Sequence, residues 1–253
     1  MHARLIAPLL VLALGASLPS AAHAQEITVL SSNGIRAVMT ELVPQFERLT
    51  QHKIVVTYSV SAELKRRIDE GASFDLAILT PALVDELIAG GKVTRASRTP
   101  LARSGMALAV QSGMRKPDIR TTDALARALR AAPSIAFAKE GAAGVFLAAL
   151  VRRLGLTELL APKLRPFTTG TDVSAAIARG DAELGVLPLS ELLSVPGVDV
   201  VGLFPAEIQG YAVMVAGVAT RALQAVAARR FVDFLASAEV IPTIIKHGME
   251  RVP

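Results

Sequence analysis

From Ile27 onward the chain alternates short apolar runs with longer stretches whose apolar residues recur every three or four positions. The first kind predicts strands in a sheet buried on both faces, the second amphipathic helices packed against it. The strands are expected at Ile27–Leu30, Lys53–Tyr58 and Asp75–Leu79. Helices are expected at Ile35–Thr50, with Phe46 and Leu49 on the apolar face, then at Ala62–Glu70 up to Gly71, and at Pro81–Ala89 up to Gly90-Gly91. Pro81 suits a first helical turn, where its missing N–H costs nothing. Three such units in succession predict a parallel sheet covered on both faces.

A second set follows. Strands are expected at Gly105–Gln111, Ser134–Ala138, Leu184–Leu187 and Gly210–Val218. Helices are expected at Thr122–Arg130, Gly144–Leu154, Asp172–Arg179 and Gln224–Ala236, with Ser237–His247 as one more helix interrupted at Pro242. There is no repeat and no linker longer than a few residues. The expected fold class is therefore α/β with two lobes: residues 25–104 and 211–253 form the first, and 105–210 the second. The chain crosses between them near Arg103–Met106 and again near Gly210–Val213, leaving a ligand cleft between the lobes.

The opening residues change the picture. "MHARLIAPLLVLALGASLPSAAHA" has a basic start at Arg4, an apolar core from Leu5 to Leu18 and a small-x-small end at Ala22-His23-Ala24, the pattern of a signal peptide over residues 1–24. The core holds Pro8 and Gly15 and falls short of the roughly 20 residues of a spanning helix. Cleavage leaves 229 of 253 residues, beginning at Gln25, as an exported, periplasmic protein. The absence of cysteine excludes disulfides, thiolate metal sites and lipid attachment through a Cys. At 52% hydrophobic residues, the fold must stand on its core. A net charge of +5, or +4 once Arg4 leaves with the leader, suits small anions. Without a basic tract, and with 4% aromatic residues, nucleic acid is not an expected partner.

The chemistry is expected where strands hand over to helices. Strand one ends in Ser31-Ser32-Asn33-Gly34, strand two in "SVSA" around Ser61, and strand three in Thr80-Pro81. In the second block "AFAKEGAAG", "TTGTD" and "PLS" take the same place. Ligands of open α/β sheets bind beyond the carboxyl ends of the strands. Helix N-termini there carry free N–H donors and about half a positive charge each, so two or three aimed at one point hold a small anion. Each feature also has an ordinary account, since Ser, Thr and Asp are the common helix caps, and Ser61 and Asp172 fit that role.

In order and spacing these segments resemble the periplasmic molybdate-binding proteins of ABC importers, within the type II solute-binding fold. "ITVLSSNGIRAVMTELVPQFE", "YSVSAELKRRIDEGASFDLAILT", "GAAGVF", "TDVSAAIARGDAELGVL" and "KHGM" carry the resemblance over nearly the whole mature chain. It implies a small oxyanion ligand, molybdate or tungstate, handed to an ABC importer permease by a monomer without a cofactor. Carried over residue by residue, it implies Ser61 as a hydroxyl donor and Ala143 and Val173 as backbone donors. The family's first-turn serine falls on Gly34, beside Ser31, Ser32 and Asn33, and its tyrosine falls on Pro188, which has neither hydroxyl nor N–H. An organic anion such as a carboxylate is the alternative ligand.

Arg36, in the first turn after "SSNG", is placed to meet a carboxylate or to lie on a solvated face. Lys65, Arg66 and Arg67 suit a solvated or importer-facing surface, and Lys139 precedes the glycine loop at the cleft. Glu140 and Asp172 would repel an ionised anion, so Asp172 is expected to cap its helix, turned away. Tyr58 and Tyr211 are expected to pack. His52 and His247 share no metal-ligand spacing. With no nucleophile–base pair, carboxylate pair or metal cluster in the loops, a binding protein is expected rather than an enzyme. The effector domain of a transcription regulator is excluded by the export leader.

Overall fold

The computed structural model describes residues 26–252 apart from Ser194. The leader and its cleavage site lie outside the described residues.

Strand β1 (Glu26–Ser32) is buried from Val29 to its end and sits inside the sheet, parallel to β2 (Lys53–Ser59) on one side and to β3 (Leu76–Leu79) on the other. Helix α1 (Arg36–Thr50) follows β1 through a 3-10 turn, Asn33–Ile35, so it starts one residue later than expected. Val38, Met39, Leu42 and Phe46 face the core, whereas Leu49 is 71% exposed, the opposite of its expected place. Phe46 packs on Phe231 of the closing helix, with ring centroids 4.8 Å apart. Helices α2 (Ser61–Asp69) and α3 (Pro81–Ala89) return the chain to β3 and beyond.

Strand β4 (Thr99–Gln111) runs through both halves of the molecule. Its first half pairs antiparallel with β9 (Tyr211–Val218), from Thr99↔Ala216 to Gly105↔Tyr211. Its second half pairs antiparallel with β7 (Leu184–Pro188), beginning at Met106↔Pro188, and with β8 (Val198–Leu203). The strand therefore starts six residues before the expected Gly105. Pro100 falls at a register shift of the β4–β9 pairing, where a missing N–H is tolerated.

Between β4 and β7 lie α4 (Thr122–Ala131), β5 (Ile135–Ala138), α5 (Ala142–Arg153), α6 (Thr157–Leu160), β6 (Leu164–Phe167) and α7 (Gly170–Arg179). Strands β6, β5 and β7 are mutually parallel, and the order across the whole sheet is β2-β1-β3-β9-β4-β7-β5-β6, with β8 on β4. Each half is thus mostly parallel with antiparallel members, rather than purely parallel. Helix α8 (Ala225–Ala236) packs on α1, and Pro242 stands in the first turn of α9 (Ile241–Lys246) instead of interrupting it. The result is the two-lobed, type II α/β fold expected from the sequence. Among the described residues no helix is long and apolar enough to cross a membrane.

Candidate functional site

At the end of β1 the two serines are buried and locally engaged. Ser31 Oγ donates to the Ser32 carbonyl at 3.3 Å, and Ser32 Oγ accepts the Gly34 N–H at 3.4 Å, capping the 3-10 turn. Ser61 behaves differently. It is the first residue of α2, and the N-cap is Val60, whose side chain caps nothing. Ser61 Oγ is buried and has no hydrogen-bond partner. An unpaired buried hydroxyl costs free energy unless something fills its bonding capacity.

The backbone donors are less uniform. Ala143 is buried in the first turn of α5, behind an N-cap glycine, Gly141. Val173 is buried too, but its N–H is bonded to the Thr169 carbonyl at 3.2 Å. Thr169 caps α7 and closes a capping box with Asp172, whose carboxylate accepts the Thr169 N–H at 3.1 Å and whose own N–H goes to Thr169 Oγ1 at 3.2 Å. The α7 donors without an acceptor inside the helix are therefore those of Gly170 and Thr171. Pro188 ends β7, and the turn after it, Leu189–Glu191, enters the site.

That turn carries the residues sequence reasoning missed. Ser190 Oγ donates to the Gly34 carbonyl at 2.8 Å, while Ser190 N–H donates to Ser104 Oγ at 3.0 Å, joining the β1 turn to the far half of the sheet. Glu191 stands between Gly34 and Gly170. A Cβ at Gly170 would fall on its Oε2, and one at Gly34 would lie 3.7 Å from its Oε1. Burial pushes the Glu191 carboxyl up to about 7, against the pull of the nearby Arg36 guanidinium. Arg36 donates to Asn33 Oδ1 at 2.8 Å and lies 4.6 Å from the centroid of the Tyr58 ring. Asn33, Arg36, Gly170, Thr171, Ser174 and Glu191 line a cavity of about 350 Å³. The sequence signal for them was their place in strand-end turns; nothing in it paired Gly34 with Glu191.

The model of one family, bacterial extracellular solute-binding protein, matches residues 27–250. The chain belongs to that family. This solute-binding protein is 33% identical over 233 residues to a Pseudomonas protein named aconitate isomerase, covering 90% of this chain and 88% of that one. It is 27% identical over 186 residues to the molybdate-binding protein ModA of Escherichia coli K12, with 71% and 72% covered. Its fold is similar to that of the periplasmic molybdate-binding protein of Azotobacter vinelandii, at a TM-score of 0.77 and 18% identity over 90% of this chain and 99% of that one. An anion ligand and an ABC transporter partner are general to such relatives. The identity of the ligand divides them.

The remaining candidates of the solute-binding protein lie around this centre. Arg66 Nη1 reaches Glu140 Oε2 at 3.0 Å, linking α2 to the loop before α5. Lys139, Thr168, Asp172 and Arg179 share a wider cavity of about 600 Å³ with that pair. Lys65 is held by Asp69 and Glu86 at 2.7 and 3.2 Å, and Arg67 by Glu63 at 2.8 Å, so these cations belong to a charged helix face. Tyr58 packs under Arg36. Tyr211 is 43% exposed beneath the Arg103 guanidinium, 4.2 Å from its ring centroid, and so lies nearer the surface than expected. Among the described residues no three His, Cys, Asp or Glu side chains gather as a metal would require. His247 pairs with Glu41 at 2.9 Å.

Proposed function

We propose that this solute-binding protein takes a small organic carboxylate into its cleft and, as a periplasmic monomer, presents it to the permease of an ABC importer. The observation that carries the reading is Glu191, standing between Gly34 and Gly170 with Arg36 at its side. A site for molybdate or tungstate needs donors on every face, because the ligand is doubly negative and brings only acceptors. An ionised carboxylate there opposes it by about 4 kcal/mol per pair of unit charges at 4 Å and an effective dielectric of 20. An organic acid suits the same wall. Each of its carboxylates brings one charge to a point instead of two, halving that repulsion, and the first of them meets the donors of Ser61, Ala143 and the turn Ser31–Gly34. Arg36 and the Gly170 and Thr171 N–H groups face the ligand from the Glu191 wall, the two N–H groups taking the part expected of Val173. Pro188 contributes the bend after β7 and no donor.

We take residues 25–104 with 211–253 as one lobe and 105–210 as the other. The exchange of β4's partners between Gly105 and Met106 supports that division. The test is calorimetry of the mature protein with mono-, di- and tricarboxylates, aconitate among them, beside molybdate, tungstate and sulfate. Saturable binding of a carboxylate is expected. Tight molybdate or tungstate binding with every carboxylate silent overturns the reading.

A second reading, that the cleft also converts its ligand, is favoured by the same glutamate. A carboxyl poised near neutral pH both accepts and returns a proton, and one relative carries an isomerase's name. Glu191 would take a proton from a carbon beside a C=C bond. The C–H electron pair becomes a new double bond, the old π pair takes the proton back at its far carbon, and nothing else is consumed. Proton NMR of aconitate incubated with the protein tests this; an unchanged spectrum leaves binding alone.

A further inference from the structure

We infer that the cavity beside Glu191 is a second anion subsite that receives a further carboxylate arm, so that the cleft ligand is a di- or tricarboxylate. The inference rests on the carboxylate reading above and deepens it. Three features on different elements converge there. The first is the open N-terminus of α7, a helix of ten residues, where the Asp172 and Val173 N–H groups are bound by Thr169 and those of Gly170 and Thr171 remain. The second is Ser174, one turn further on, which lines the cavity, is 3% exposed, and whose Oγ has no hydrogen-bond partner. The third is Arg36, on α1, which brings a full positive charge to the cavity from the other side of the cleft.

The charge balance matches an anion. Glu191 is the acidic side chain on the cavity wall, and burial favours its neutral form. Asp172, the nearest other acid on α7, is turned onto Thr169. The size is sufficient too, since about 350 Å³ lies within the range of small-molecule sites and admits a carboxylate arm. Ser61 and Ala143 do not line this cavity. A ligand that used them together with Ser174 and Arg36 would need two anionic groups, one for each set.

Calorimetry on the mature protein with propionate, succinate and tricarballylate tests this. Tricarballylate is a saturated tricarboxylate, so no turnover of a double bond complicates the titration. Wild-type protein should bind it at least about tenfold more tightly than propionate, the effect of one further charge-assisted contact. Ser174→Ala should weaken tricarballylate by about tenfold or more while leaving propionate within about twofold. A thermal melt of each variant shows that the fold is retained, and Ser174→Thr, which keeps the hydroxyl, should recover part of the affinity. Equal affinities for the three acids, or a Ser174→Ala variant that binds tricarballylate as wild type does, overturn the second subsite while the carboxylate reading stands. Failure of all three acids to bind overturns both.

Discussion

Replacing Glu191 with Gln should remove a pH dependence of stability that the wild-type protein carries between about pH 4.5 and 7. In the folded protein the carboxyl titrates near 7 instead of near 4.5, because burial penalises its charged form more than Arg36 favours it. Within that window the native state holds more proton than the unfolded chain, so stability falls as pH rises. The contribution is intact below pH 4.5 and gone above 7. At about 1.4 kcal/mol per pH unit the full interval amounts to roughly 3 kcal/mol, and water reaching the cavity wall makes the true figure smaller. Glutamine keeps the shape and has no charge to bury. The variant should therefore match wild type near pH 4 and exceed it by up to about 3 kcal/mol near pH 8. Urea unfolding of both proteins from pH 4 to 8 measures the difference. Glu41 and Asp118, both held near 2 by basic neighbours, act as pH falls below the carboxylate range and cancel between the two proteins. Curves that stay parallel, with one constant offset at all pH values, would refute the placement of Glu191 in a poorly solvated wall.

Ser61→Ala should lower affinity for the cleft ligand about ten- to hundredfold by removing one hydrogen bond to a charged oxygen. Because Val60 holds the cap position, the roughly 1 kcal/mol loss that follows removal of a helix cap should be missing from its thermal melt. A destabilised variant with unchanged affinity would return Ser61 to a structural role. Ligand binding should also shift an open–closed balance of the two lobes, seen as contraction in small-angle scattering; a profile unchanged at saturating ligand would count against hinge closure.

Most of the fold was legible because burial and helix stops are local signals. Helix α3 has the expected ends, and α7 ends at Gly180, whose φ of 77° suits glycine. What was missed lies where tertiary pairing overrides pattern. Strand β6, "LRPF", is an edge strand with Arg165 and Pro166 exposed, so it shows no apolar run. Strand β8 is half-buried against β4, and the first half of β4 was hidden by Pro100 and the polar pair Arg103-Ser104. Leu49 fits the helical period of α1 but falls on its last turn, beyond the reach of α8 and the sheet. The site divides the same way. Strand-end serines can be read locally, whereas the bond from Ser190 to Gly34 joins residues 156 apart.

The departures from the molybdate-binding pattern are coupled through one small volume. A side chain at position 34 would begin 3.0 Å from Met214 Cε and 3.7 Å from Glu191 Oε1, and at position 170 it would overlap the Glu191 carboxyl. Gly170 is thus what lets an acid occupy that space, while a Cβ at position 34 would touch Glu191 only at ordinary van der Waals distance. Pro188, at the place where the resemblance implied a tyrosine, directs the chain into the short turn that delivers that acid. Where the resemblance implied two hydroxyl donors the chain has Gly34 and Pro188, and the proposed site has instead a carboxyl flanked by a guanidinium. Such an exchange leaves the sheet and its helices undisturbed, because Gly34, Pro188 and Glu191 lie at or beyond strand ends and Gly170 opens a helix. A fold this similar to a molybdate binder can therefore carry a wall in which an acid and a guanidinium, rather than hydroxyls alone, face the cavity.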